Sequence, residues 1–153
     1  MRAHSRARSR ARGWALQILY AWEARGGGQD ALRPIIREFF GERRIAPDSR
    51  EYIERLAATV GEHIAEIDEA VQGALTNWRL ERLSVIDRNI LRLAAGEMMY
   101  MNEVPARVSI QEAVVLAEKY GTGDSPRFVN GVLDALVRAA GGGGGTGVEG
   151  GER

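Results

Sequence analysis

A chain of 153 residues with 21 basic side chains, 21 acidic ones and no cysteine is long enough for one well-buried domain. Without thiols, disulfides, zinc–thiolate sites, iron–sulfur clusters and cysteine nucleophiles are all excluded. No apolar run approaches the roughly 18 residues that a bilayer span needs, and the N-terminus lacks the apolar core of a secretory signal, so a soluble, cytoplasmic protein with no membrane partner is expected.

The first element is an arginine-rich helix. From Ser5 or Ser9 onward, Ala11, Ala15, Ile18, Leu19 and Trp22 recur at helical spacing and form a core stripe. At about 100° per residue, Arg6, Arg10, Gly13, Gln17 and Tyr20 fall on the opposite side, a basic and polar face that ends in an aromatic ring. Arg8 projects onto the apolar side, so the first two turns are expected to extend past the core or to stay disordered without a ligand. Net charge is zero, yet Arg2, Arg6, Arg8, Arg10 and Arg12 all precede the first acid, Glu23, which leaves five excess negative charges on the remainder. Such segregation points to an anionic partner for this end. A transit peptide is disfavoured because the core stripe begins inside the arm. A solvated basic tail is the plain alternative. Guanidinium groups bind phosphate oxygens in pairs and stack on unpaired bases, which favours nucleic acid.

Gly26-Gly27-Gly28 closes this helix. A short helix follows Asp30 through Ile35, Ile36, Phe39 and Phe40, with Pro34 tolerated in its first turns. Pro47-Asp48-Ser49 opens a third helix with the stripe Tyr52, Leu56, Val60, Ile64 and Ile67, in which Gly61 permits close packing. His63 lies beside that stripe; with His4 as the only other histidine, it reads as a packing or surface residue and not as a metal ligand. Asp68 is expected to cap a fourth helix carrying Ala70, Val71, Ala74 and Leu75, with Trp78 after it. A fifth starts near Leu83 or Ser84 and runs through Ile86, Ile90, Leu93, Ala94, Met98 and Met101 until Val104-Pro105 stops it. Ser109-Ile110-Gln111-Glu112 reads as a capping box for a sixth helix, with Ala113, Leu116, Ala117 and Tyr120 on its core face.

Gly121-Thr122-Gly123 leads to the seventh helix, for which Ser125 is the expected N-cap and Pro126 the first-turn proline. Val129, Val132, Leu133, Leu136, Val137 and Ala140 make its apolar face, and Gly131 reads as a point of close helix approach. Residues 141–153 are glycine-rich and expected to form a disordered tail. The expected fold is all-α, about seven helices in two small packed bundles joined around Asp68. One domain is expected over residues 1–140, with a basic arm at about 1–12.

No catalytic constellation is present: there is no Walker loop, no dinucleotide glycine fingerprint, no HExxH and no GxSxG. Carboxylates such as Glu66, Asp68 and Glu69 read as solvated or capping groups. No enzyme activity, catalytic residue, cofactor or metal is therefore expected.

Several segments taken in order carry a family likeness: Arg10-Ala11-Arg12 leading to Ala15-Leu16-Gln17-Ile18-Leu19-Tyr20-Ala21-Trp22; Trp78-Arg79-Leu80 with Arg82-Leu83; Asp87-Arg88-Asn89-Ile90-Leu91-Arg92; Val104-Pro105; Glu112-Ala113-Val114-Val115-Leu116-Ala117; and Phe128-Val129-Asn130-Gly131-Val132-Leu133-Asp134. Over roughly residues 6 to 138 this ordered set resembles the NusB family of bacterial transcription antitermination proteins. The resemblance implies an all-helical fold of two three-helix bundles with one additional helix. It also implies a factor that pairs with the ribosomal small-subunit protein NusE, binds single-stranded boxA RNA, joins other Nus factors on RNA polymerase and suppresses termination in ribosomal RNA operons. Mapped onto this chain, RNA contacts are expected at Arg6, Arg8, Arg10, Arg12, Gln17, Tyr20, Asp124 and Phe128, and a protein-partner contact at Asp87. Ser5 and Ser9 interrupt an arginine run that is often denser in the family, and Gln111 stands where the family commonly has asparagine. Monomer and homodimer both stay open, as do two alternatives: a helical docking adaptor without RNA, and a stand-alone relative of the RNA-binding domain of ribosomal RNA cytosine methyltransferases.

Overall fold

The structure, a computed structural model, describes residues 2–143, with side chains from Ser5 to Gly141. Among the described residues the chain forms α1 (Arg2–Ala24), α2 (Leu32–Glu42), α3 (Pro47–Glu62), α4 (Ile64–Ala74), α5 (Val85–Tyr100), α6 (Ala106–Tyr120) and α7 (Ser125–Gly143), plus 3-10 turns at Gln29–Ala31 and Leu80–Arg82. The expected all-α class is what the chain adopts. The last helix runs through Gly143, past the expected end at Ala140, and the rest of the expected tail lies outside the described residues.

Helices α1, α2 and α3 pack together, and α4 to α7 form a second group. α5 lies against members of both. One continuous core results, from Ile18 and Leu19 through Ile53, Leu56 and Val60 to Ile67, Ile90, Leu91 and Leu133. Each such side chain stabilises the fold by about 1.5–3 kcal/mol relative to exposure. The close packing expected at Gly61 is present, since a Cβ there would collide with Leu32. Gly96 does the same at the centre: a Cβ would stand 2.9 Å from Val60 Cγ2 and 3.1 Å from Ile67 Cδ1.

Four local expectations are corrected. The joint between the two helix groups falls at His63, where α3 ends and α4 begins one residue later, and not at Asp68. His63 stacks on Tyr100 with ring centroids 3.9 Å apart. Asp68 instead lies inside α4 and accepts from Arg92 at 2.8 and 2.9 Å. Ser109 is no cap, because Pro105 already starts α6; its buried hydroxyl donates to Glu97 at 2.6 Å. Gly131 meets no neighbouring atom within 4 Å, because it sits on the solvent side of α7, away from Val129, Val132 and Leu133.

Two charge networks tie the helices together. Glu97, 1 % exposed on α5, accepts from Arg12 Nε on α1 at 3.0 and 3.1 Å, from the Tyr52 hydroxyl on α3 and from Ser109 on α6. Burial, and then the hydrogen bond to Glu97, push the Tyr52 hydroxyl's pKa up, so it stays a donor. On the other side of α1, Glu23 accepts from Arg88 and from Arg92, and Arg88 also donates to the Leu83 carbonyl at 2.7 Å, which holds the turn before α5. Burial alone would raise the Glu23 pKa. The Arg88 hydrogen bond and the charges of Arg88 and Arg92 outweigh it and hold the carboxyl below its ordinary 4.5.

Glu97→Gln removes the buried carboxylate that faces Arg12 and leaves only the more open Glu112, 3.4 Å away, as its counter-charge; it is expected to cost about 3–5 kcal/mol, read as a lower denaturant midpoint at unchanged slope. For Glu23 the depressed folded pKa means its ion pairs contribute fully above about pH 4.5 and lose that contribution as pH falls through the lower folded value. The stability difference between wild type and Glu23→Gln should therefore shrink in acid, and a difference that stays constant down to about pH 3 would contradict the coupling.

Candidate nucleic-acid interface

Four side chains of the expected interface share the open face of α1. Arg6, Arg10, Gln17 and Tyr20 are exposed, Tyr20 to 49 %. They point outward because Ala11, Ala15, Ile18 and Leu19, on the other side of the helix, are sealed in the core. Beside this face a groove of 420 Å³ runs between α1 and α6, with Arg10, Trp14 and Gln17 on one wall and Val115, Lys119 and Tyr120 on the other.

Arg8 and Arg12 are placed differently. Arg8 turns inward, as its spacing predicts, with its guanidinium 4.9 Å from the Tyr52 ring centroid and 3.8 Å from Glu103. The arm does not leave the core at this point: Ala7 is buried, and its carbonyl accepts from Ser49 Oγ at 3.2 Å, so α1 is docked on α3 from its second turn. Arg12 is 6 % exposed, held by Glu97 and, at 3.4 Å, by Glu112. That burial conflicts with the expectation of Arg12 as an open contact, because its donors already face two carboxylates. Of the four arginines, Arg6 and Arg10 are the ones that face outward.

The start of α7 makes the second cluster. Phe128 N donates to the Asp124 carbonyl at 3.1 Å, so the helix begins from Asp124. The Ser125 hydroxyl, expected as the cap, instead accepts from Thr122 N at 3.0 Å and fixes the turn before the helix. Asp124 is exposed and Phe128 half-buried. Together with Trp78, Arg82 and Asp87 they line a cavity of 230 Å³. Asp87 sits there because Ser84, near the expected start of α5, caps that helix by accepting from Asp87 N at 3.1 Å. One oxygen, Asp87 Oδ1, is buried without a hydrogen-bond partner. The expected protein contact and the expected contacts at the α7 entrance thus share one cavity.

The two clusters meet at the end of α6. Lys119 and Tyr120 stand across the groove from Arg10 and Gln17, and Gly121-Thr122-Gly123 then carries the chain to Asp124. Sequence reading missed Tyr120 and Trp78 as surface groups. Tyr120, assigned to the core face, is 37 % exposed with Lys119 5.4 Å above its ring, because the helix ends there and no element covers it. Trp78 is 55 % exposed, held out by Gln72, which donates to the Trp78 carbonyl at 3.0 Å and accepts from Leu80 N at 2.9 Å. Asn77 beside it, at φ 68, is the type of residue that tolerates this left-handed turn, and an Asn-Trp pair outside any helical stripe was the available signal. Among the described residues no group of His, Asp or Glu is arranged to hold a metal ion.

Known proteins resemble this chain over most of its length. The NusB family model matches residues 9–138. A transcription antitermination protein NusB from Sorangium cellulosum is 47 % identical over 135 residues, 88 % of this chain and 94 % of that relative. One from Trichlorobacter lovleyi is 43 % identical over 84 % of this chain and 89 % of its own length. Among solved structures, T. maritima NusB superposes with a TM-score of 0.73 at 34 % identity, covering 86 % of this chain and 90 % of that one. A crystal structure of antitermination factors NusB and NusE in complex with double-stranded RNA gives 0.74 at 31 % identity, over 88 % of this chain and 98 % of that one. With a match across nearly the whole described length and these identities, the chain belongs to the NusB family.

Proposed function

We propose that this protein is a transcription antitermination factor that binds single-stranded boxA RNA together with the ribosomal small-subunit protein NusE, and so promotes full transcription of ribosomal RNA operons through other Nus factors on RNA polymerase. The observation that carries the reading is the meeting of the open α1 face with the α7 entrance at the end of α6. A solved relative holds NusE and double-stranded RNA, which supports both classes of partner. For this site the uncovered Tyr20 ring and the half-open Phe128 favour an unpaired strand, since bases stacked in a duplex have no free face to offer.

Roles follow from chemistry. Arg6 and Arg10 take phosphate oxygens, Gln17 reaches a base edge or ribose, and Tyr20 and Phe128 stack on bases. Asp124 accepts from a base amino group or a ribose hydroxyl. Asp87, with its unpartnered oxygen, is the acceptor assigned to NusE. Arg8 and Arg12 act from beneath by fixing the helix that presents the others. Binding, and no bond-making step, is the work assigned to this chain. Among the described residues no helix is long and apolar enough to cross a membrane, which fits a cytoplasmic role.

Titration of boxA RNA should show tighter binding with NusE than without, preference for the single strand over its duplex, and a log–log salt slope of about −0.7 per phosphate engaged. Arg10→Ala is expected to remove roughly one phosphate's share of that slope, and Tyr20→Ala to cost about 1–3 kcal/mol of binding, both with thermal midpoints near wild type. Arg12→Ala should lower the midpoint. Wild-type affinity and slope in the Arg10 and Tyr20 variants would refute the interface, and NusE capture that RNA never enhances would favour the adaptor reading.

A further inference from the structure

The corner where α2 ends and α3 begins carries an arginine-rich surface that the function above leaves unused. Arg37, Arg43, Arg44 and Arg50 are exposed there, with Arg33 further back in the first turn of α2, against Glu38, Glu42, Asp48 and Glu51. Glu38 is held by Arg25 at 2.7 Å. Arg43 lies 3.4 Å from Glu42, an exposed contact worth little in water.

Two of these arginines stand over aromatic rings. The Arg43 guanidinium carbon is 4.1 Å from the Phe39 centroid, that of Arg50 is 4.7 Å from Phe40, and the two rings are 6.4 Å apart. A guanidinium held over a ring still has N–H groups to offer to phosphate oxygens, and it loses less freedom on doing so because the side chain is already placed.

One contact links the corner to the open face of α1. Trp14, which lines the groove with Arg10, meets Phe39 edge-on at 5.5 Å. Among the described residues the exposed large apolar side chains are Tyr20, Trp78, Val115 and Tyr120, and none belongs to this corner. A protein partner would want such an anchor, whereas a phosphate chain needs none.

We propose that the α2–α3 corner is a second phosphate-binding surface, which takes the single-stranded RNA flanking the element held by α1 and the α7 entrance. This rests on the RNA reading above. It makes the RNA footprint longer than that element and gives the flanking nucleotides a sequence-independent share of the affinity.

The test titrates the full chain with NusE against boxA RNA alone and against boxA RNA carrying a uridine tract at either end. One of the two tracts should tighten wild-type binding several-fold at low salt and add about −1.4 to the salt slope if two phosphates are engaged. The double variant Arg43→Ala/Arg50→Ala should keep the thermal midpoint and the affinity for unextended boxA, and lose the gain from the tract. No gain from either tract in the wild type, or a gain that survives the double variant, overturns the proposal. Loss of NusE capture in the double variant with the tract's gain intact would also overturn it, by making the corner a protein contact. Failure of wild type to bind unextended boxA would bring down the RNA reading itself, an outcome distinct from boxA binding without any gain from the tracts.

Discussion

Glu97 carries a negative charge into the interior of α5, and donors from three other helices make its burial tolerable. Arg12, Tyr52 and Ser109 each reach the same carboxylate, so α1, α3 and α6 must hold their registers for the charge to be satisfied. Hydrophobic packing alone tolerates some sliding of one helix on another. A buried carboxylate with directed partners does not, because losing one donor leaves an unpaired charge in a medium that solvates it poorly.

This constraint reaches the surface through α1. Arg12 is pinned inside, and Arg6, Arg10 and Gln17 lie on the same rigid helix, so the direction of the pinned side chain sets the direction of the free ones. Arginines only a few residues apart in sequence thus do opposite work, and periodicity divides them. The network around Glu23 plays the matching part on the far side, where Arg88 and Arg92 bind α1 and α4 to the helix between them.

Much of this was legible in the sequence where one physical rule dominates. The stripes of α1 and α7, the glycine at Gly61 and the start of α5 near Ser84 follow from spacing and backbone chemistry that act within a few residues; the stripe read for α3 holds through Val60, but Ile64 and Ile67 belong to α4. Errors arose where a residue had two competing uses. Ser109 has the spacing of a capping box, but a buried carboxylate on another helix claims its hydroxyl. Asp68 has the chemistry of a cap, but Arg92 claims it. Arg12 belongs to an arginine-rich arm by composition and to the core by its partners, and only the fold brings Glu97, 85 positions away in sequence, to its side. Tyr120 was misread for a different reason: helical spacing says which side a residue faces, but not whether a neighbour is present to cover that side. At the candidate site, the exposed face of α1 was therefore readable, whereas the cavity that joins Trp78, Asp87 and Phe128 depends on how three separate segments converge.

The single-residue joint at His63 has a mechanical meaning. A linker of several residues would let the two groups of helices swing; here one residue, stacked on Tyr100 and followed at once by α4, gives almost no slack, and the core runs unbroken beneath it. The span from Arg6 to Phe128 is then a fixed length set by the protein. In the proposed complex a bound strand would have to match that length.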